Sequence, residues 1–404
     1  MAKKRIDQID VRGKRVLMRV DFNVPIKNAV ITDDRRIRMA LPSIESVLSR
    51  GGRLILVSHL GRPKGEGFEK DFSLEPCAVR LVELLGHKAR GGVKFPSHDC
   101  IDGAATAAVN MLADGECALL ENLRFHKGEQ KGDPAFASRL AAFADIYCND
   151  AFGTCHRPDV SMVGAPKAMT GKPRVCGFLV EKEIRYLAGA LSNPAKPFTV
   201  VLGGAKVSDK LPAITNLLPK ADNVLIGGAM AYTFLRSRGA AVGSSRIEED
   251  RLADAARILE QASKTSCRIH LPTDHVCAQK FEENAATKTI AGDIADGWMG
   301  LDIGPKTIEA YASVLKASKT IVWNGPMGVF EWQAFSAGTR GVGEGIVAAT
   351  AHGAVSIVGG GDSAAAAEEM GFAEKLSHVS TGGGASLEML EGKKFESVDL
   401  LDEA

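Results

Sequence analysis

Charge of one sign is missing from this sequence. Its 50 Lys and Arg stand against 49 Asp and Glu, a net charge of +1. No global field therefore draws the chain to nucleic acid or to an anionic membrane, and any anion site must be local. Long apolar runs are missing too: none approaches the roughly 18 residues of a membrane span. The opening Met1-Ala2-Lys3-Lys4-Arg5 is followed by no apolar stretch, so it does not read as a secretory signal. The eight cysteines include no C-x-x-C pair and no zinc-like spacing with histidine. They are expected to be small buried hydrophobes in a reducing compartment, which makes a cytoplasmic protein the expectation. Short-period repeats and low-complexity segments are also absent.

What is present is an α/β pattern. With 404 residues, 45% hydrophobic and 25% charged, the chain has the length of about two domains and the composition of a globular protein. Short β-branched runs at Arg15–Val20, Leu54–Ser58, Ala118–Leu120 and Ile146–Cys148 alternate with helical patterns. The second half repeats this at Phe198–Leu202, Val224–Ile226, Arg268–Leu271, Thr320–Trp323 and Val355–Val358. Continuous apolar strands alternating with helices predict parallel sheets covered on both faces. The expected fold is two Rossmann-like doubly wound parallel-sheet domains joined by a helix and hinge. The boundaries expected are residues 1–175 for the first domain, 176–192 for the linking helix and 193–386 for the second domain, with 387–404 packing back on the first. Prolines 166, 173, 194 and 197 punctuate the middle, and Phe178–Leu191 reads as an amphipathic helix between them. Trp323, Phe330 and Trp332 are expected in the core.

Ligands of open α/β sheets bind at the carboxyl ends of strands, and the polar segments fall there. In the first half the tips carry Arg and His: Asp21-Phe22-Asn23, His59-Leu60-Gly61-Arg62 and Arg124. Several arginines converging at strand ends would hold a small, highly anionic substrate; singly, each also reads as a surface residue or ion-pair partner. In the second half the tips are glycine-rich. Gly359-Gly360-Gly361-Asp362-Ser363 follows a strand and opens an Ala-rich helix, so its backbone N–H groups can approach an anion, with Asp362 a hard ligand for Mg²⁺. The plainer alternative is an ordinary turn with Asp362 capping the helix. Lys206 and Lys210 follow Gly203-Gly204-Ala205, and the apolar spacing predicts a helix beginning near Lys206. Two lysines in a first turn oppose the helix dipole, which an anion docking between them would explain. Gly300-Leu301-Asp302-Ile303-Gly304-Pro305-Lys306-Thr307 nearly spells a P-loop, but Pro305 separates Gly from Lys, and the segment is rejected as one. The protein-kinase signature is absent. A nicotinamide-dependent dehydrogenase lacks its G-x-G-x-x-G with an acid about 20 residues on.

Taken together these segments resemble the phosphoglycerate kinase family over essentially the whole chain. The matching stretches are Arg19–Pro25, Ser58–Pro63, Asn149–Thr154, Gly203–Val207, Trp323–Pro326 with Gly328–Glu331, and Gly359–Ser363. The resemblance implies reversible transfer of a phosphoryl group between 1,3-bisphosphoglycerate and ADP, giving 3-phosphoglycerate and ATP. It implies substrate binding by Asp21, Phe22, Asn23, Arg36, His59, Leu60, Gly61, Arg62, Arg124 and Arg157. Nucleotide binding would fall to Gly204, Ala205, Lys206, Lys210, Gly228, Gly300, Leu301, Asn324, Glu331, Gly360, Gly361, Asp362 and Ser363, with Asp362 on Mg²⁺. Arg36, Lys206 and Gly383 would assist the transfer itself. Arg35 and Arg38 are expected to be surface residues. A monomer without nucleic-acid or membrane partners is expected, hinging at the 178–191 helix and at Thr381–Gly384. A non-catalytic phosphate-ligand binding protein on the same fold is the alternative. One departure stands out. The family commonly reads Gly-Thr-Ala-His-Arg-Ala-His where this chain has Gly153-Thr154-Cys155-His156-Arg157-Pro158-Asp159. Asp159 thus places a negative charge beside an anion site, where weaker or retuned substrate binding is expected.

Overall fold

The apolar runs form the strands they predict, and the central ones are buried on both faces, whereas the edge strand Arg268–His270 is not. In the computed structural model, which describes residues 2–404, the first sheet has six parallel strands. Their spatial order is Val93–Lys94, Cys117–Leu119, Arg53–Val57, Arg15–Val20, Ile146–Asp150 and Arg174–Cys176. Val16 pairs with Leu54 on one side and with Ile146 on the other. All three belong to one core, with Met18, Leu56 and Val175.

The second sheet is also six-stranded and parallel, in the order Arg268–His270, Asn223–Ile226, Phe198–Leu202, Thr320–Asn324, Val355–Val358 and His378–Val379. Numbered along the chain this is 3-2-1-4-5-6, a common doubly wound order that leaves a crevice where its direction reverses. That reversal lies between Phe198–Leu202 and Thr320–Asn324. Beside this sheet stands a three-stranded antiparallel one, Thr287–Ala291, Asp274–Ala278 and Met299–Ile303. The sequence pattern does not announce it, because Thr287–Ala291 is almost wholly exposed and lacks an apolar face.

The chain divides into two compact units. One runs to Arg185 and takes back Lys394–Ala404; the other is Tyr186–Lys393. The returning segment is thus shorter than 387–404, and the helix Gly384–Leu390 belongs to the second unit. Its ties to the first unit are specific: Arg174 N donates to the Asp402 carboxylate at 3.0 Å, and Ser397 Oγ donates to Cys155 O at 2.7 Å. The helix Phe178–Ser192 carries the chain across the boundary. It starts where it does because the buried Asp150 carboxyl group accepts from Leu179 N at 2.9 Å and so caps its first turn. Gly177 precedes it because a Cβ there would lie 2.2 Å from the Asp150 carboxyl carbon.

The helix predicted to begin near Lys206 begins instead at Leu211. Pro212 at its start is preorganised for the first turn, and Lys210 N closes a preceding turn onto Val207 O at 2.8 Å. Lys206 and Lys210 therefore stand in a loop rather than on one helix face. Trp323 lies in the core as expected, fully buried, and Phe330 is nearly so. Trp332 departs from that expectation: it is half-buried, with its ring 4.6 Å from that of Phe281, which is 61% exposed.

Candidate active site

In the first unit, His59 feels the charges of Arg19 from within a strand, of Arg36 from the start of the helix Arg35–Ser49, and of Arg124 and Arg157 from segments that follow strands. Its ring is buried, and Arg19 Nη2 lies 2.9 Å from its Nδ1. Arginine can only donate, so Nδ1 accepts and Nε2 carries the ring proton. Burial, then Arg19, Arg124, Arg157 and Arg36, push His59 well below its ordinary value. It is a neutral imidazole in a cationic setting.

Arg19 was not foreseen as a site residue, although a charge inside an apolar strand was the available signal. It is fully buried, donates from Nε to Ser161 Oγ at 2.9 Å and also hydrogen-bonds Val20 O. Ser161 in turn hydrogen-bonds the buried Glu129, its N lying 3.0 Å from Oε2. Burial raises the Glu129 carboxyl to about 7.

The other predicted residues of this unit fall into two groups. Asp21, Arg36, Asn23, Arg124 and Arg157 present polar groups. Arg36 Nη1 donates to Asp21 Oδ2 at 2.7 Å, and Gly61 N donates to Asn23 Oδ1 at 2.9 Å. Arg124 is buried, with Nη1 donating to Gly61 O at 2.8 Å. Arg157 is half-buried, and its Nε has no hydrogen bond among the described residues. Phe22 and Leu60, by contrast, are buried side chains that act through backbone: Phe22 N donates to Ser58 Oγ at 2.9 Å, and Leu60 N to Asn122 Oδ1 at 3.2 Å. Arg62 is exposed. Arg35 and Arg38 are surface residues, paired with Asp33 and Asp34.

In the second unit a pocket of about 470 Å³ opens at the carboxyl end of the sheet. It gathers seven of the predicted residues: Gly204, Ala205, Gly228, Gly300, Leu301, Glu331 and Asp362. Close approach requires glycine in its lining, where a Cβ on Gly300 would lie 1.9 Å from Tyr232 Oη, and just outside it, where one on Gly203 would lie 2.0 Å from Pro326 O. The pocket also takes in Arg246, Phe281 and Met299, which the sequence reading missed because they lie outside any glycine loop.

Lys206, Lys210, Asn324, Gly360, Gly361, Ser363 and Gly383 are not part of that lining. Lys210 Nζ hydrogen-bonds Asn324 Oδ1, and burial lowers its pKa against the pull of Asp209 and Asp362. Asn324 Nδ2 is buried without a hydrogen bond among the described residues, 3.0 Å from where a Gly360 Cβ would stand. Ser363 Oγ accepts from Gly325 N at 2.7 Å and donates to Gly359 O at 2.9 Å, so its hydroxyl braces the loop. Asp362 stands in the first turn of the helix Gly361–Glu369.

The near P-loop proves to be filled from within. The Asp274 carboxylate accepts from Lys306 N at 3.0 Å and Thr307 N at 2.8 Å, so the start of that helix already holds its anion. Sequence spacing also hid one grouping, Asp99, Cys100 and His126. Burial and the charges of Asp99 and Glu129 push the Cys100 thiol up. Cys155 is likewise buried, pushed up to about 12, and inert.

Residues 6–393 match the family model described as phosphoglycerate kinase. The chain belongs to the phosphoglycerate kinase family. It is 56% identical over 408 residues to the phosphoglycerate kinase of Rhodopirellula baltica, with 100% of both chains covered. It is 55% identical to that of Thermosipho africanus, over 98% of this chain and 97% of the relative. The solved phosphoglycerate kinase structure from Coxiella burnetii superposes with a TM-score of 0.90 at 37% identity, covering 98% of each chain. Family membership makes the chain an ATP-dependent kinase, and this excludes the purely ligand-binding alternative as the better reading.

Proposed function

We propose that the chain transfers a phosphoryl group reversibly between 1,3-bisphosphoglycerate and ADP through the two sites described. The observation that carries this is the pairing of chemistries. Arg36, Arg124 and Arg157 surround His59 in one unit, and a glycine-lined pocket bordered by Asp362 stands at the sheet switch point of the other.

In the proposed mechanism the arginines bind 3-phosphoglycerate, Arg62 adds a charge at the rim, and the neutral His59 donates from Nε2. Asp21 and Asn23 position Arg36 and the Gly61 backbone. Gly204, Ala205, Gly228, Gly300, Leu301 and Glu331 line the base and ribose pocket; Lys206, Lys210 and the Gly360–Ser363 backbone take the phosphates. The substrate carboxylate attacks the γ-phosphorus in line, a new P–O bond forms, and the bond to the β-phosphate oxygen breaks. The attacking oxygen is already anionic, so no general base is needed. Catalysis is positioning plus neutralisation of the charge on the moving group, by Arg36 and Lys206 with N–H groups near Gly383.

Asp362 fits Mg²⁺, being an exposed carboxylate beside an anion cradle, the single hard ligand that this ion commonly takes along with phosphate oxygens. When bound, that ion would neutralise phosphate charge. A monomeric, cytoplasmic enzyme completes the reading; the eight free, buried thiols suit a reducing compartment. A coupled assay with Mg-ATP and 3-phosphoglycerate tests it: turnover is expected, and binding of both ligands without turnover would defeat it.

A further inference from the structure

We propose that Asp159 is a built-in competitor for the substrate: a positioning residue that shares Arg124 with the bound oxyanion and so loosens the site's grip on it. The inference rests on the reading above that Arg124 takes part of phosphoglycerate. Its ground is an incomplete ion pair in a buried place. Arg124 and Asp159 have side chains only 4% and 6% exposed, with Nη2 and Oδ2 3.6 Å apart. That is too long for a hydrogen bond. Nη1 of Arg124 is engaged by Gly61 O, while Nε, Nη2 and Asp159 Oδ2 have no hydrogen bond among the described residues.

The Nε–Nη2 edge is the fork with which arginine grips an oxyanion in two parallel bonds. Here that edge is buried and charge-balanced yet makes no hydrogen bond among the described residues. The main chain that carries the carboxylate is held in place, Asp159 O accepting from Met162 N at 3.0 Å and from Val163 N at 2.9 Å, and at 3.6 Å the carboxylate stands outside hydrogen-bond reach of the fork. Asp159 thus keeps a buried guanidinium neutralised while the site is empty. Once a phosphate or carboxylate oxygen enters the fork, Asp159 opposes it as a like charge at close range. A site that must release its product gains by this, since affinity of ground states does not accelerate the chemical step.

The test compares wild type, Asp159→Asn and Asp159→Glu. Asp159→Asn removes the charge and is expected to lower KM for 3-phosphoglycerate about tenfold, with KM for ATP unchanged and no rise in kcat. Asp159→Glu keeps the charge and is expected to stay near the wild-type KM. Calorimetric titration of 3-phosphoglycerate and of inorganic sulfate should show the same tightening. If Asp159→Asn fails to fold, Asp159→Ser serves in the same titrations. A folded neutral variant with unchanged or weaker substrate binding overturns the proposal, as does a glutamate variant that behaves like the asparagine one. Absence of turnover in the wild type would instead defeat the functional reading, and the titrations would still judge Asp159 on its own.

Discussion

Around His59 the residues divide by what burial allows them to do. Arg19 is sealed in the sheet and fixes the ring tautomer, whereas the Arg36 side chain is partly exposed and meets solvent. Arg36→Ala should therefore lower kcat about a thousandfold while leaving nucleotide affinity nearly unchanged, as steady-state kinetics and nucleotide titration would show. Near-normal turnover would remove Arg36 from the mechanism. Behind the ring, Glu129 is raised from 4.5 to about 7 by burial. A carboxyl raised in the folded state binds its proton more tightly than in the unfolded chain. Its contribution to stability is therefore whole below pH 4.5 and is lost as pH rises towards 7, by up to about 3 kcal/mol. Glu129→Gln removes that loss, so its unfolding free energy should exceed the wild-type value more at pH 7 than at pH 5. Parallel pH profiles in denaturant melts would reject this role.

At the scale of elements, glycines at the switch point let two strand ends touch. Gly203 N donates to Asn324 O and Gly204 N to Pro326 O, each at 3.0 Å, so backbone lies directly on backbone. Gly203→Ala pushes a methyl into a carbonyl that no side-chain rotation can clear. A loss of about 1–3 kcal/mol in unfolding free energy is expected, together with weaker ADP binding by calorimetry. The same reasoning explains which glycine motif misled. Gly300–Thr307 has the letters of a phosphate loop, but its helix start is closed by Asp274, a residue far back in sequence. The lysine pair shows the opposite case: its anion-facing role survives in the proposal although the helix begins later than the apolar spacing suggested, because Pro212 sets the first turn.

For the whole molecule, the cationic cluster and the glycine-lined pocket belong to different compact units of one chain. If phosphoryl transfer joins ligands held by both, the units must close on them and exclude water, which would otherwise hydrolyse the acyl phosphate. Small-angle scattering should show a smaller radius of gyration with ADP and 3-phosphoglycerate bound together than with either alone. No change with both present would count against closure.

Nine of the twelve strands in the parallel sheets, and the polar tips that follow them, were legible because apolar runs and glycine act locally, within a few residues. His59, Arg124, Gly204 and Asp362 could be named from those tips alone. Arg19, Glu129, Arg246 and Phe281 could not, since their meaning comes from neighbours that approach only after the sheets have formed. Asp159 lies between these cases: the sequence by itself determined that an acid stands two residues after Arg157. Only the tertiary structure decided that it stands 3.6 Å from the unbonded edge of Arg124, because burial, not sequence distance, sets which charges must share a space.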